Sequence, residues 1–208
     1  MGKQNTTDSY LLSFTAGGLL LEETDSLSSY LNDKKIDLIK NEIVNNKYLK
    51  TNSESARMRI IHEIKTRYNA VGSDVFSLYQ DLDQNEKKIF IFYTCLKTYR
   101  LVFDFIFDVV IERWLSGNKS LNIDDSLYFL DKKSSDHIEV ENLADSTVKK
   151  IGSVMIKMLK DVGMIDDGKL VALEASNTFW ANFIRINETW FLQACLLNSE
   201  KRDEIRHV

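Results

Sequence analysis

The sequence predicts an all-α, mostly helical protein. Three observations carry that expectation: apolar residues recur at helical spacing, there are only 8 glycines, and there is no proline. Average usage in a chain this long would supply about 15 glycines and 10 prolines, so residues that favour turns are scarce. Apolar residues make up 44% and charged residues 28%, close to the globular average, which excludes fibrous and disordered classes. The length of 208 residues fits two packed helical subdomains, 1–115 and 116–208, around one long apolar central helix.

Taken in order, Thr15 is placed to cap a first helix continued by Leu19, Leu20, Leu27 and Leu31, with Gly17 and Gly18 in its first turn. A second helix is expected over 34–44, ended by Asn45-Asn46. Ser53 or Ser55 caps a third, to about Tyr68, whose Ile60, Ile61, Ile64 and Tyr68 share one face. The stretch 69–73 breaks it, and a short element over 74–82 leads into 85–115. There Phe90, Phe92, Tyr93, Tyr99, Phe103, Phe105, Phe107 and Trp114 cover nearly every face, the mark of a buried central helix or of two in succession.

Ser116-Gly117-Asn118-Lys119-Ser120 has nothing to bury and marks the boundary. Residues 121–145 then carry seven acids against two lysines, a local charge of −5. Ser146 is expected to cap a helix over 147–162, Gly163 to stop it, and Asp166-Asp167-Gly168-Lys169 to turn the chain into a short strand over 170–173. A helix, a stop, a turn and a strand in that order resemble a winged helix-turn-helix with a short β-hairpin, placed at 123–173. Two closing helices are expected over 177–186 and 188–205.

The net charge is −4 and the pI near 5.5, so any surface for a polyanion must be a local patch. Cys95 and Cys195 lie far apart in apolar runs and read as buried thiols of a reducing compartment. The first ten residues lack the basic-then-apolar pattern of a signal peptide, and Gly2 with Thr6 matches a myristoylation pattern too short to carry weight. Lys97, Arg100, Asp104 and Asp108 interrupt the most apolar stretch, which speaks against a membrane span. A soluble, cytoplasmic chain is expected.

Catalysis finds no support. His62, His137 and His207 lack zinc-site spacing, the cysteines are not paired for metal, and no nucleophile elbow occurs. Gly117-Asn118-Lys119-Ser120 lacks the glycines that let backbone amides wrap phosphate, and Gly17-Gly18 fits close packing better than anion binding. The chain is therefore expected to be no enzyme, with no cofactor, metal or small-molecule substrate.

One constellation points to polyanion contact. On a wheel of about 100° per residue, Ile151, Met155, Met158, Leu159 and Val162 gather on one side of the late helix, and Lys149, Lys150, Ser153, Lys157 and Lys160 gather on the other. Lys169 follows in the expected wing. Lysine contacts phosphate without reading bases, so such a stripe is a salt-sensitive, sequence-independent surface. A solvated helix face is the competing reading. A second basic cluster, from Lys47 to Arg67, offers Arg57, Arg59 and Lys65 as further phosphate contacts, against the competing reading of surface salt bridging. Tyr93, Tyr99, Trp114, Trp180 and Trp190 sit in apolar runs and read as core rather than as base-stacking platforms.

Three blocks, YLLSFTAGGLLLE at 10–22, NKYLKTNSESARMRIIHEIKTRY at 46–68 and DSTVKKIGSVMIKMLKDVGMI at 145–165, resemble the BrxA family of BREX phage-defence systems. The apolar middle also fits, so the resemblance covers most of the chain, and SFTAGG is its most specific part. The resemblance implies a helical, non-enzymatic accessory that works beside larger BREX subunits and contacts nucleic acid, DNA more than RNA. Net acidity and the lack of an arginine-rich reading helix count against sequence-specific readout. An interaction scaffold that docks other defence subunits without touching nucleic acid is the alternative.

Overall fold

The computed structural model describes residues 9–207, so the start of the chain, with Gly2 and Thr6, lies outside the described residues. The first long helix does not form where Thr15 predicts it. Ser13–Ala16 is a 3-10 turn, and α1 (Leu21–Ser26) begins only after Gly18 and Leu20 adopt left-handed conformations, φ 62° and 57°. The reason lies elsewhere in the chain: the Arg67 guanidinium takes the carbonyls of Gly18 and Leu19, which a continuous helix would have needed for its own ladder.

Short 3-10 segments, Ser28–Tyr30 and Ile36–Asn41, precede α2 (Glu42–Asn45), which ends on left-handed Asn46. The buried Glu42 carboxylate accepts the amides of Tyr48 and Leu49 at 2.5 and 2.9 Å and folds the following loop back on α2. Ser53 caps α3 (Glu54–Val71), its Oγ accepting the Ala56 amide, and Gly72 at φ 81° ends it. Then come α4 (Ser73–Phe76), a 3-10 turn Ser77–Asp81 and α5 (Gln84–Thr98), opened by an Asp83–Glu86 capping box.

The central apolar run is two helices in succession. Tyr99 is extended, with φ −114° and ψ 96°, and α6 (Arg100–Phe105) passes through a π segment, Ile106–Val110, into α7 (Ile111–Leu115). No proline or glycine marks the break at Tyr99; its hydroxyl is held by Arg67 and Glu63 instead.

Beyond the 116–120 loop, α8 (Ile123–Ser134), α9 (Ile138–Glu141) and α10 (Asp145–Val162) are followed by a hairpin of β1 (Ile165–Asp166) and β2 (Lys169–Leu170). Two details differ from the expectation. Ala144 rather than Ser146 is the N-cap of α10, with no side-chain bond, and Asp145 supplies a carboxylate to the first turn, where the helix dipole favours it. The second strand sits earlier than 170–173, because Asp167 and Gly168 both take positive φ, 43° and 73°, and make a two-residue turn that pairs Asp166 with Lys169. Ser120 bridges Lys169 on the outer side of the hairpin.

α11 (Asn177–Arg185), α12 (Trp190–Ala194) and α13 (Ser199–Ile205) close the chain. The single helix expected over 188–205 is divided at Leu196, whose φ is 64°, and Asn198 caps the helix that follows.

α5 packs on α3 and α10, and α8 lies along α10. Gly152 sits at that last crossing: a Cβ there would come within 2.6 Å of Ser126 Oγ, so the two backbones approach as closely as glycine permits. Tyr93, Tyr99 and Trp180 are buried, and Trp114 and Trp190 pack against the core, as the apolar runs predict. Cys95 and Cys195 are buried free thiols, and burial pushes both up from the usual thiol range. Among the described residues no helix is long and apolar enough to cross a membrane.

Candidate nucleic-acid interface

The stripe on α10 stands where its periodicity places it. Ile151, Met155, Met158, Leu159 and Val162 are buried, while Lys149, Lys150, Ser153, Lys157 and Lys160 are exposed, and Lys169 is exposed on the hairpin that follows. The helix has 18 residues and so spans about 27 Å, with Lys150 and Lys157 about 10 Å apart along it.

The lysines of the stripe differ in their surroundings. Lys157 pairs with Asp161 one turn on. Lys149, on one flank, borders a groove that also holds Asp131, Glu141 and Asp145, so the acidic segment comes up to the edge of the stripe. Lys150, about 100° round the helix, lines a different cleft together with Arg59 and His62 of α3. Among the described residues Lys150, Lys160 and Lys169 have no carboxylate within ion-pair distance.

The cluster on α3 is largely committed to the protein itself. Arg57, 7% exposed, donates to the carbonyls of Ile43 at 2.7 Å, Thr51 at 2.5 Å and Asn52 at 3.2 Å. It fastens the loop between α2 and α3 and is not presented to a ligand, contrary to its expected role in phosphate contact. Lys65 is half-buried and lies 3.0 Å from Asp37, and its ammonium holds that carboxyl below the usual carboxylate range. That is the surface pairing weighed as the alternative, and it leaves Lys65 engaged. Arg59 alone of the three is exposed without a carboxylate partner among the described residues.

His62, which lacks zinc-site spacing and has no other local signal of a role, follows Arg59 by one turn. Thr15 carries the signal of a helix entry only, and Ser13 carries none. The structure brings both residues to the wall of the cleft of Arg59, His62 and Lys150, a tertiary juxtaposition that no local spacing encodes.

Fold and site together define a mostly helical protein whose late segment has the helix, helix and hairpin order of a winged helix-turn-helix, with cations on the exposed side of its long helix. The BrxA family model matches residues 8–175, and the chain belongs to that family. A relative from Bacillus cereus (strain H3081.97), described as "BREX protein BrxA", is 25% identical over 153 residues, 73% of this chain and 76% of the relative. A crystal structure of an uncharacterized protein from Magnetospirillum magneticum has the same fold, with a TM-score of 0.71 and 19% identity, over 89% of this chain and 97% of that one.

Proposed function

We propose that the chain is a non-catalytic, cytoplasmic accessory protein of a BREX-type phage-defence system that binds duplex DNA through the exposed side of α10 and the hairpin. The observation that supports this reading best is the separation of Lys150, Ser153, Lys157, Lys160 and Lys169 from the apolar face of the same segment, in a protein whose overall charge is −4. A local cationic stripe on an acidic molecule orients a polyanion without attracting it everywhere. The family and the description of the Bacillus relative support the defence setting and a partnership with other BREX subunits.

Binding of a duplex across a salt series tests this reading. Each phosphate contact contributes about −0.9 to the slope of log affinity against log salt. The triple variant Lys149→Gln, Lys157→Gln, Lys160→Gln is expected to lose affinity and about two units of slope or more, with single-stranded and RNA probes bound more weakly than duplex by the native protein. Equal affinity and slope for the native and triple-variant proteins would remove α10 as the contact surface.

A second reading, docking of other defence subunits without nucleic acid, is favoured by the groove where Asp131, Glu141 and Asp145 meet Lys149. It predicts no duplex retention at low salt together with co-purification of a partner subunit that is lost when those three acids are neutralised.

A further inference from the structure

We infer that the cleft between the Ser13–Ala16 turn, α3 and the beginning of α10 holds the sugar-phosphate backbone of the same nucleic-acid strand that the α10 stripe contacts, an inference that rests on the DNA-binding reading above. The cleft encloses about 740 Å³ and joins residues remote in sequence: Ser13 and Thr15, Arg59 and His62, and Lys150. Arg59 and Lys150 enter from different helices, and among the described residues neither has a carboxylate partner. Two unneutralised cations on one concavity give it a positive potential that an anion offsets.

The one acid in the wall, Glu63, does not supply that anion. It is buried, accepts the Tyr99 hydroxyl, and has the Arg67 guanidinium 4.0 Å behind it, so its charge is offset from within the protein. Beside the cleft, Ser13 Oγ is a buried hydroxyl with no hydrogen-bond partner among the described residues. Arginine beside lysine is a donor set for phosphate oxygens, with arginine suited to bidentate contact.

The form of the cleft selects a strand over a free nucleotide. Sites for small ligands are enclosed and mainly apolar, whereas this one is open and its single apolar side chain, Met58, is 52% exposed. Lys150 belongs to both the cleft and the α10 stripe, so a backbone lying along the helix passes directly into the cleft. Arg59 then contacts a phosphate beyond the footprint of the lysine stripe.

The test compares two variants on one duplex across salt: Arg59→Gln with Ser13→Ala for the cleft, and the triple lysine variant for the stripe. Arg59 is exposed and makes no hydrogen bond among the described residues, and far-ultraviolet circular dichroism with thermal unfolding checks that the cleft variant folds. The cleft variant is expected to lose several-fold in affinity and about 0.9 in slope, one phosphate contact. A weakened stripe variant beside a cleft variant of native affinity and slope would overturn the cleft assignment and leave the DNA reading standing. Native behaviour in both variants would overturn both. A third arm titrates adenosine monophosphate as competitor: displacement of the duplex at micromolar nucleotide, dependent on Arg59, would show a nucleotide pocket and overturn the assignment to a strand.

Discussion

Arg67 holds Gly18: its Nη2 donates to the Gly18 carbonyl at 2.7 Å while Nη1 donates to the neighbouring Leu19 carbonyl at 2.6 Å. The same guanidinium reaches Tyr99 Oη at 3.2 Å, and Tyr99 in turn donates to Glu63. A buried cation thus ties the SFTAGG turn, α3 and the break between α5 and α6 at one point. Left-handed Gly18 is what turns those carbonyls toward Arg67, a backbone shape glycine adopts at no steric cost.

Replacing that cation leaves two carbonyls buried without a donor and the Glu63 carboxylate, still bonded by the Tyr99 hydroxyl, buried without its countercharge. Arg67→Met is expected to destabilise the fold by about 3–5 kcal/mol, the range for breaking a buried charged pair. Arg67→Lys, a point charge without the planar fork, should fall between the variant and the native protein. Urea unfolding checks both, and a native midpoint for Arg67→Met would refute the clamp.

Arg57 shows how a surface-cluster reading and a fold reading separate by experiment. Its three bonds go to backbone carbonyls of the loop before α3, so Arg57→Met should cost about 1.5–3 kcal/mol of stability, the scale for bonds from a charged donor. Duplex affinity of the folded variant should match that of the native protein. Loss of affinity without loss of stability would restore Arg57 to the contact surface.

The contrast between these arginines and the α10 lysines marks what the sequence made legible. Periodicity alone sorted α10 into buried and exposed sides, since its neighbours cover one apolar stripe. Ser53 and Gly163 announced their helix ends by the chemistry of caps and left-handed glycine. Arg57 and Arg67 looked like their exposed neighbours, because the carbonyls that bury them lie in irregular segments with no spacing of their own. The break at Tyr99 and the turn at Leu196 were hidden for a related reason: tertiary bonds and packing hold backbone shapes that no local glycine or proline signals. The cleft near Arg59 was not legible, because it joins Ser13, Thr15 and Lys150 to α3 from segments remote in sequence.

Gly152 was equally silent in sequence, since a lone glycine in a periodic helix fits either tolerance or close contact. The crossing with Ser126 decides for contact, and Gly152→Val should destabilise by about 1–3 kcal/mol through overpacking. Gly152→Ala should cost less, because alanine regains about 1 kcal/mol of helix propensity. In a Ser126→Ala background, which removes the Oγ at issue, Gly152→Ala should become neutral or stabilising. A double-mutant cycle by chemical denaturation measures the coupling, and additivity of the two substitutions would show that the helices are not in contact there.

The start of the described chain is fastened to the acidic segment by Glu139, whose Oε1 accepts the Tyr10 amide at 2.6 Å and lies 3.3 Å from His137 Nδ1. Tyr10 stacks on the His137 ring with centroids 4.0 Å apart and donates its hydroxyl to Asp104 at 2.8 Å. Donation from the Tyr10 amide, with a smaller contribution from His137, holds the Glu139 carboxyl below the usual carboxylate range. A native carboxyl lower than its unfolded counterpart, about 4.3, stabilises the fold above that pH and loses its contribution as pH falls through the native value. Glu139→Gln keeps an acceptor beside Tyr10 without the charge. The native protein should therefore be more stable than the variant at neutral pH, and the gap should close as pH drops below the ordinary carboxylate range. Asp37 and Glu204 are also held low and weaken both proteins in acid, so the quantity that tests the clamp is the difference in unfolding free energy at each pH. A difference that stays constant from neutral pH to pH 3 would mean that the Glu139 charge makes no contact specific to the folded state.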